Sequence, residues 1–214
     1  MIAVCSAFKK GLIGININDK KDYCEIDANC GHSEKMLPAI DDLLNKNGLS
    51  VVDNDCFAVV IGPGSFTGLR ISLGLIKGLC AGISKFNVVQ ITSFELMAYT
   101  YIKSFSPKTD FWCIINALSG NIFVAKFNKN GKQLTEEKVE DISFLQNKEV
   151  FVGLQEENIG NEKIELNCID FLELAEIKNK QKNYVNINNI QPLYIRKSQA
   201  EDDLERKEKN LKKI

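Results

Sequence analysis

The chain has 214 residues, with 27 basic and 28 acidic side chains and a net charge of −1, so it lacks the basic footprint of an autonomous nucleic-acid binder. A hydrophobic content of 44% beside 26% charged residues excludes wholesale disorder, and the length provides a real core for one large domain or two small ones. No apolar run reaches the roughly 18 residues of a membrane span, and the opening Met1-Ile2-Ala3-Val4-Cys5-Ser6 lacks the basic and apolar regions of a secretory leader.

Residues 2–5, 11–18 and 22–27 are short, β-branched-rich segments that predict an antiparallel meander. Ser33 is the expected N-cap of a helix in which Met36, Leu37, Ile40, Leu43 and Leu44 recur at helical spacing. Asn47-Gly48 closes that helix, and Pro38 predicts an irregular first turn. Residues 56–61 form a continuous apolar run, the pattern of a strand buried on both faces. A Gly-rich turn over 62–68 leads into a helix over 69–83 and a strand over 88–91, which reads as a right-handed crossover. Ser93 caps a third helix over 94–103.

Residues 104–110, polar and containing Pro107, mark the expected boundary between an N-terminal unit (1–104) and a C-terminal unit (105–214). Beyond it, strands are expected over 111–115, 122–128, 148–153 and 164–167, with a turn at Asn128-Lys129-Asn130-Gly131. A helix over 169–178 and a polar loop over 179–189 follow. Both halves pair strands with helices, but no sequence repeat relates them. The tail over 196–214 holds seven basic and five acidic residues, with Ala200, Leu204, Leu211 and Ile214 as a narrow apolar stripe. It reads as a solvated helix or frayed tail, or as an arm for tRNA or a partner.

The seven cysteines are odd in number and include no Cys-x-x-Cys pair, which favours free thiols in a reducing compartment over a disulfide framework. His32 is the one histidine, so a zinc site has no second imidazole to use, and a place at the helix start is its default role. The adjacent pairs Asp41-Asp42 and Asp202-Asp203 do not point the same way on a helix and read as solvated.

The stretch Gly62-Pro63-Gly64-Ser65-Phe66-Thr67-Gly68-Leu69-Arg70 is the densest in information. Its glycines permit a tight turn and close backbone approach, and the following helix start can hold an anion, so Gly62, Gly64, Ser65, Thr67 and Gly68 are candidate anion or nucleotide contacts. It nonetheless fails the P-loop, dinucleotide and nucleophile-elbow patterns. Gly74, Gly78 and Gly82 then recur every four residues as a smooth ridge. Each costs about 1 kcal/mol relative to Ala inside a helix, so close packing is expected there, either by a helix of the same chain or by another subunit.

With these segments placed, the chain resembles the TsaB family, also called YeaZ. The resemblance rests on Gly-Pro-Gly-Ser-Phe-Thr-Gly-Leu-Arg-Ile (62–71) followed by Gly74 and Lys77-Gly78-Leu79, on His32-Ser33-Glu34-Lys35-Met36-Leu37-Pro38 upstream, and on Pro192-Leu193-Tyr194-Ile195-Arg196 near the end. It implies an α/β chain of the actin/hexokinase/Hsp70-like (ASKHA) fold, with two subdomains that each hold a mixed sheet and flanking helices. It further implies a non-catalytic, cytoplasmic relative of TsaD, without metal or cofactor of its own. With TsaD and the ATPase TsaE, such a subunit supports threonylcarbamoylation of the adenosine beside the anticodon of ANN-decoding tRNAs, meeting tRNA only through the complex. Alone it forms a homodimer through the same helices, here 33–47 and 69–83. The implied partner interface is Met36, Leu37, Ile40, Leu44, Ile71, Gly74, Leu75, Gly78 and Gly82.

The chain departs from the family at Cys5-Ser6-Ala7, where relatives often keep an Asp, and at Asn116, Leu118 and Asn121, where Asp, Arg and Glu are usual. These changes take charge out of the central cleft and leave the interface helices untouched. Two other readings compete: a nucleotide- or RNA-binding module using residues 62–68, and a stand-alone ASKHA ATPase or a peptidase.

Overall fold

Ile2–Cys5 (β1) is apolar at every position and buried, which places it at the centre of a sheet. It pairs antiparallel with Lys10–Ile17 (β2), which pairs antiparallel with Lys20–Asp27 (β3), and parallel with Cys56–Gly62 (β4), which pairs parallel with Asn87–Thr92 (β5). The sheet order is β3-β2-β1-β4-β5. The computed structural model of the protein describes residues 1–17, 20–27, 31–147 and 149–195, and of His32 the backbone only. The tail over 196–214, including its apolar stripe and Asp202-Asp203, lies outside the described residues, as do Asn18, Cys30 and Lys148.

A second sheet follows the same plan. Phe111–Asn116 (β6), Asn121–Phe127 (β7) and Lys138–Asp141 (β8) form an antiparallel meander, and Phe151–Leu154 (β9) and Glu162–Ile164 (β10) add in parallel on the other side of β6. Its order, β10-β9-β6-β7-β8, repeats the order of the first sheet.

Alternation along the strands sorts the core into layers. Ile2 and Val4 face His32–Lys46 (α1) and Phe66–Cys80 (α2) in one cluster. Ala3 and Cys5 face the opposite way, toward Ser93–Phe105 (α3) and Cys168–Lys180 (α4). The same cluster takes in Phe111, Cys113 and Ile115 of β6, so α3 and α4 lie between the two sheets. Trp112 and Ile114 face outward, against the 3-10 turn Ile142–Gln146. This is the expected ASKHA arrangement of two mixed five-stranded sheets with flanking helices. Among the described residues, no helix is long and apolar enough to cross a membrane.

The chain returns to its first sheet after the second is complete. Gly14 lets α4 lean closely on β2, since a Cβ there would fall 2.7 Å from Cγ of Leu172. The Val185 amide donates to the Val88 carbonyl at 2.9 Å, and the Leu193 amide to the Ile61 carbonyl at 2.7 Å. A cut at residue 104 thus separates the sheets, while α4 and the closing segment pack back on the first one. Lys103 of α3 ties α4 in place through Asp170 at 2.8 Å and Glu173 at 2.5 Å.

Several expected boundaries move. Helix α1 starts at His32 rather than after a Ser33 cap: Gly31 occupies the cap position with φ 75°, and its carbonyl accepts from the amides of Glu34 and Lys35. Helix α2 spans 66–80 rather than 69–83, because the Ser65 hydroxyl accepts from the Gly68 amide at 3.2 Å and starts the helix one turn early. Gly82 therefore lies past the helix end. Strand β8 went unrecognised because Lys138-Val-Glu-Asp has one apolar residue and sits on a sheet edge.

Candidate functional site

Two regions hold the residues singled out in the sequence: the outer face of α1 and α2, and the junction where β1 ends against the Gly-rich turn. On the outer face, the spacing that made α1 amphipathic divides the expected interface residues. Met36, Ile40 and Leu44 lie at i, i+4 and i+8 and are 0%, 1% and 2% exposed, packed on the protein's own sheet. A stripe that covers the sheet cannot also meet a partner, so these three belong to the core. Leu37, one position round the helix, is 50% exposed.

On α2 the split is the same. Leu69, Ser72, Leu73 and Ile76 face inward. Ile71 and Leu75 are half-buried, and Gly74, Gly78 and the following Gly82 are exposed. A Cβ on any of these three glycines would meet nothing within 4 Å. Among the described residues, no helix of the same chain packs on the ridge.

At the head of α2 the glycines serve the opposite purpose. Ser6 is fully buried; its amide donates to the Ser72 hydroxyl at 2.7 Å, and its own hydroxyl donates to the Gly68 carbonyl at 2.6 Å. With that proton committed, the Ser72 hydroxyl donates to Ser6 Oγ across 2.5 Å. This locks the end of β1 onto α2, and a Cβ on Gly68 would fall on the Ser6 carbonyl oxygen. Gly64 is almost as close, with a Cβ position 2.5 Å from the Ala7 carbonyl oxygen, which accepts from the Ser65 amide at 2.8 Å. Gly62 has φ 115°, outside the range of most side chains. Of the candidate anion contacts, Gly62 and Gly68 are buried in packing, Thr67 is exposed, and Gly64 and Ser65 border a cleft.

That cleft, of about 260 Å³, lies between the two halves and is lined by Ala7, Phe8, Lys9, Ile115, Asn116, Glu156 and Glu157 besides Gly64 and Ser65. Its charge comes from residues that the sequence reading passed over. Lys9 and Glu157 carry no recognisable motif, and only the fold brings them to one cavity. Glu157 accepts from the Asn116 amide at 2.8 Å. Burial nevertheless pushes its carboxyl up to about 7, with Glu156 adding to the rise and the Asn116 amide, Lys9 and Lys163 opposing it. Among the described residues no cluster of three His, Cys, Asp or Glu side chains is placed to hold a metal ion.

A further contact joins the closing segment to α2. Tyr194 stacks on Phe66, and Arg70 reaches both. Both ends of this contact lie in the family motifs, but spacing alone did not pair them.

A family model described as TsaD, tRNA N6-adenosine threonylcarbamoyltransferase, matches residues 26–173. The tRNA threonylcarbamoyladenosine biosynthesis protein TsaB of Haemophilus influenzae is 27% identical over 190 residues, covering 77% of this chain and 80% of the relative. TsaB of Escherichia coli is 29% identical over 99 residues, covering 46% and 42%. The solved structure of YeaZ from Pseudomonas aeruginosa superposes with a TM-score of 0.75 at 17% identity, covering 90% of this chain and 98% of that one.

Proposed function

The chain belongs to the TsaD family of tRNA N6-adenosine threonylcarbamoyltransferases, on its TsaB/YeaZ side, and on that premise we propose that it is the non-catalytic, dimerising subunit of a tRNA-modifying complex. Its role lies in biosynthesis of tRNA threonylcarbamoyladenosine. In this reading it joins a TsaD homologue through α1 and α2, with a TsaE homologue completing the complex, and it pairs with a second copy of itself when the partner is absent. It reaches tRNA through the complex, in keeping with a net charge of −1, and works in the cytoplasm.

The observation that carries the reading is the outer face of α1 and α2. Leu37, Ile71, Gly74, Leu75, Gly78 and Gly82 remain accessible, and the glycines leave open space where a second helix can approach. Gly74 and Gly78 of α2 forgo about 2 kcal/mol of helix stability relative to Ala, and among the described residues no contact offsets it. The non-catalytic part is supported by the single histidine and by Cys5-Ser6-Ala7, which holds no carboxylate where relatives often keep an Asp and whose Ser6 is engaged in packing.

The test is reconstitution with the TsaD and TsaE homologues of the same organism, ATP, threonine, bicarbonate, the threonylcarbamoyl-adenylate synthase and an ANN-decoding tRNA. Modified adenosine is expected only when the TsaD homologue and this chain are both present. Modified adenosine formed by this chain with the TsaD homologue omitted contradicts the non-catalytic role. Full yield with this chain omitted contradicts the subunit role.

A further inference from the structure

The Phe66–Arg70–Tyr194 cluster gives the α2 face a chemistry that exposed glycines and leucines do not supply. Phe66 and Tyr194 stack with centroids 4.5 Å apart and planes 19° from parallel. The Arg70 guanidinium lies 4.1 Å from the Phe66 ring centroid, and its Nε donates to the Tyr194 hydroxyl at 3.0 Å. Tyr194 is itself placed by the adjoining Leu193 amide, which bonds to the end of β4. A side chain with many rotamers is thus held in one geometry before any partner arrives. Only Nε is engaged: among the described residues the two terminal nitrogens of Arg70 have no partner, and the residue is exposed.

Charge is distributed unevenly over this surface. Arg70 and Lys77 are the only charged residues of α2, and both are basic. The neighbouring α1 exposes Glu34, Asp41 and Asp42 against Lys35, since Lys46 is engaged with Asp22 at 2.8 Å. One helix is therefore basic and the other acidic on the same side of the molecule. In a two-fold pair the same patch meets itself, and a surface with separated charges is then self-complementary.

We propose that Arg70 sets the register of a second copy of this chain, its terminal guanidinium edge receiving an α1 carboxylate from that copy. This inference rests on the reading of α1 and α2 as an association face. The fork of two terminal N–H donors matches a carboxylate, a geometry that lysine cannot reproduce. Two-fold symmetry makes the contact twice.

The experiment is sedimentation equilibrium of the full chain alone at two salt concentrations. Wild type is compared with Arg70→Glu, Arg70→Lys, and the charge-reversed α1 double variant Asp41→Arg/Asp42→Arg, each checked by circular dichroism. Self-association is expected to weaken at least tenfold in Arg70→Glu, with its salt dependence reversed because like charges then face each other, and severalfold in Arg70→Lys, which keeps the charge and the salt dependence but loses the fork. Mixing Arg70→Glu with the α1 variant is expected to restore a dimer that neither forms alone. Arg70→Glu that dimerises like wild type overturns the inference, as does a mixture that stays monomeric although wild type dimerises. A wild type that is monomeric alone but binds the TsaD homologue overturns the inference and leaves the partner reading standing. One that does neither overturns both.

Discussion

At the head of α2 a Cβ on Gly68 would fall on the carbonyl oxygen of Ser6, and one on Gly64 would lie 2.5 Å from that of Ala7; further along the same helix, a Cβ on Gly74 or Gly78 would meet nothing. The residue type is the same and the physical demand is opposite. The first pair lets the end of β1 reach the helix backbone, so its worth is realised in folding. The second pair loses helix stability and meets nothing among the described residues, and the proposed reading gives it a use against a partner. A composition count sees only glycines; the difference lies in what stands opposite each one.

The largest expected effect breaks the folding half of this contrast. Gly68→Ala forces the Ser6 carbonyl away from α2 and disturbs the hydrogen bonds among Ser6, Ser72 and the helix. A loss of about 3 kcal/mol is expected from the overpacking, seen as a fall in Tm of roughly 6–12 °C for a chain of this size. Differential scanning calorimetry checks it.

Gly78→Arg acts on the other half. The new side chain enters open space and replaces a helical glycine, so Tm is expected to hold or to rise by about 2–3 °C. Association with the TsaD homologue, followed by light scattering after size exclusion, is expected to weaken by about 100-fold or more, because the side chain fills the approach at the centre of the face. A variant that binds normally would return the open glycines to being a surface accident.

Gly74→Ala sharpens the comparison, since its two readouts move in opposite directions. Replacing an exposed helical glycine is expected to raise Tm by about 2–4 °C, from roughly 1 kcal/mol of helix propensity. The same methyl group is expected to weaken association severalfold, read by calorimetric titration. A gain in both would mean that no helix passes at that point.

The smallest effect belongs to the cleft beside Gly64. The Glu157 carboxyl, pushed up to about 7 from 4.5, keeps a proton in the folded protein that the unfolded chain releases. Its contribution to stability is therefore full below about pH 4.5 and is lost as pH rises through about 7. Glu157→Gln mimics the protonated form at every pH. Its Tm relative to wild type is expected to rise between pH 5 and pH 8, and a difference that does not change with pH contradicts the raised value.

The two sheets show a second limit of reading along a chain. They share one strand order, yet no sequence repeat betrays it. Pairing uses backbone hydrogen bonds and a period of two, which many sequences satisfy, so topology survives where side-chain identity does not. The first sheet was legible because β1 and β4 are continuous apolar runs and α1 and α2 are strongly periodic. In the second sheet Lys138–Asp141 is an edge strand, polar and half exposed, whereas Phe151–Leu154, inside the sheet and apolar, falls on the strand expected over 148–153. Short edge elements carry too little pattern to be recognised alone.

The amino-acid sequence by itself determined the class of the fold, the elements of its N-terminal half, and the family, through the motifs at 32–38, 62–71 and 192–196. Periodicity states which residues share a helix face; it does not state what that face meets. Only the tertiary structure decided that Met36, Ile40 and Leu44 look inward while Leu37 and the glycines look out, that Ser6 is engaged by α2, and that Lys9 shares a cleft with Glu157. Those decisions depend on contacts between residues distant in the chain, and the spacing of residues along one element contains no term for them.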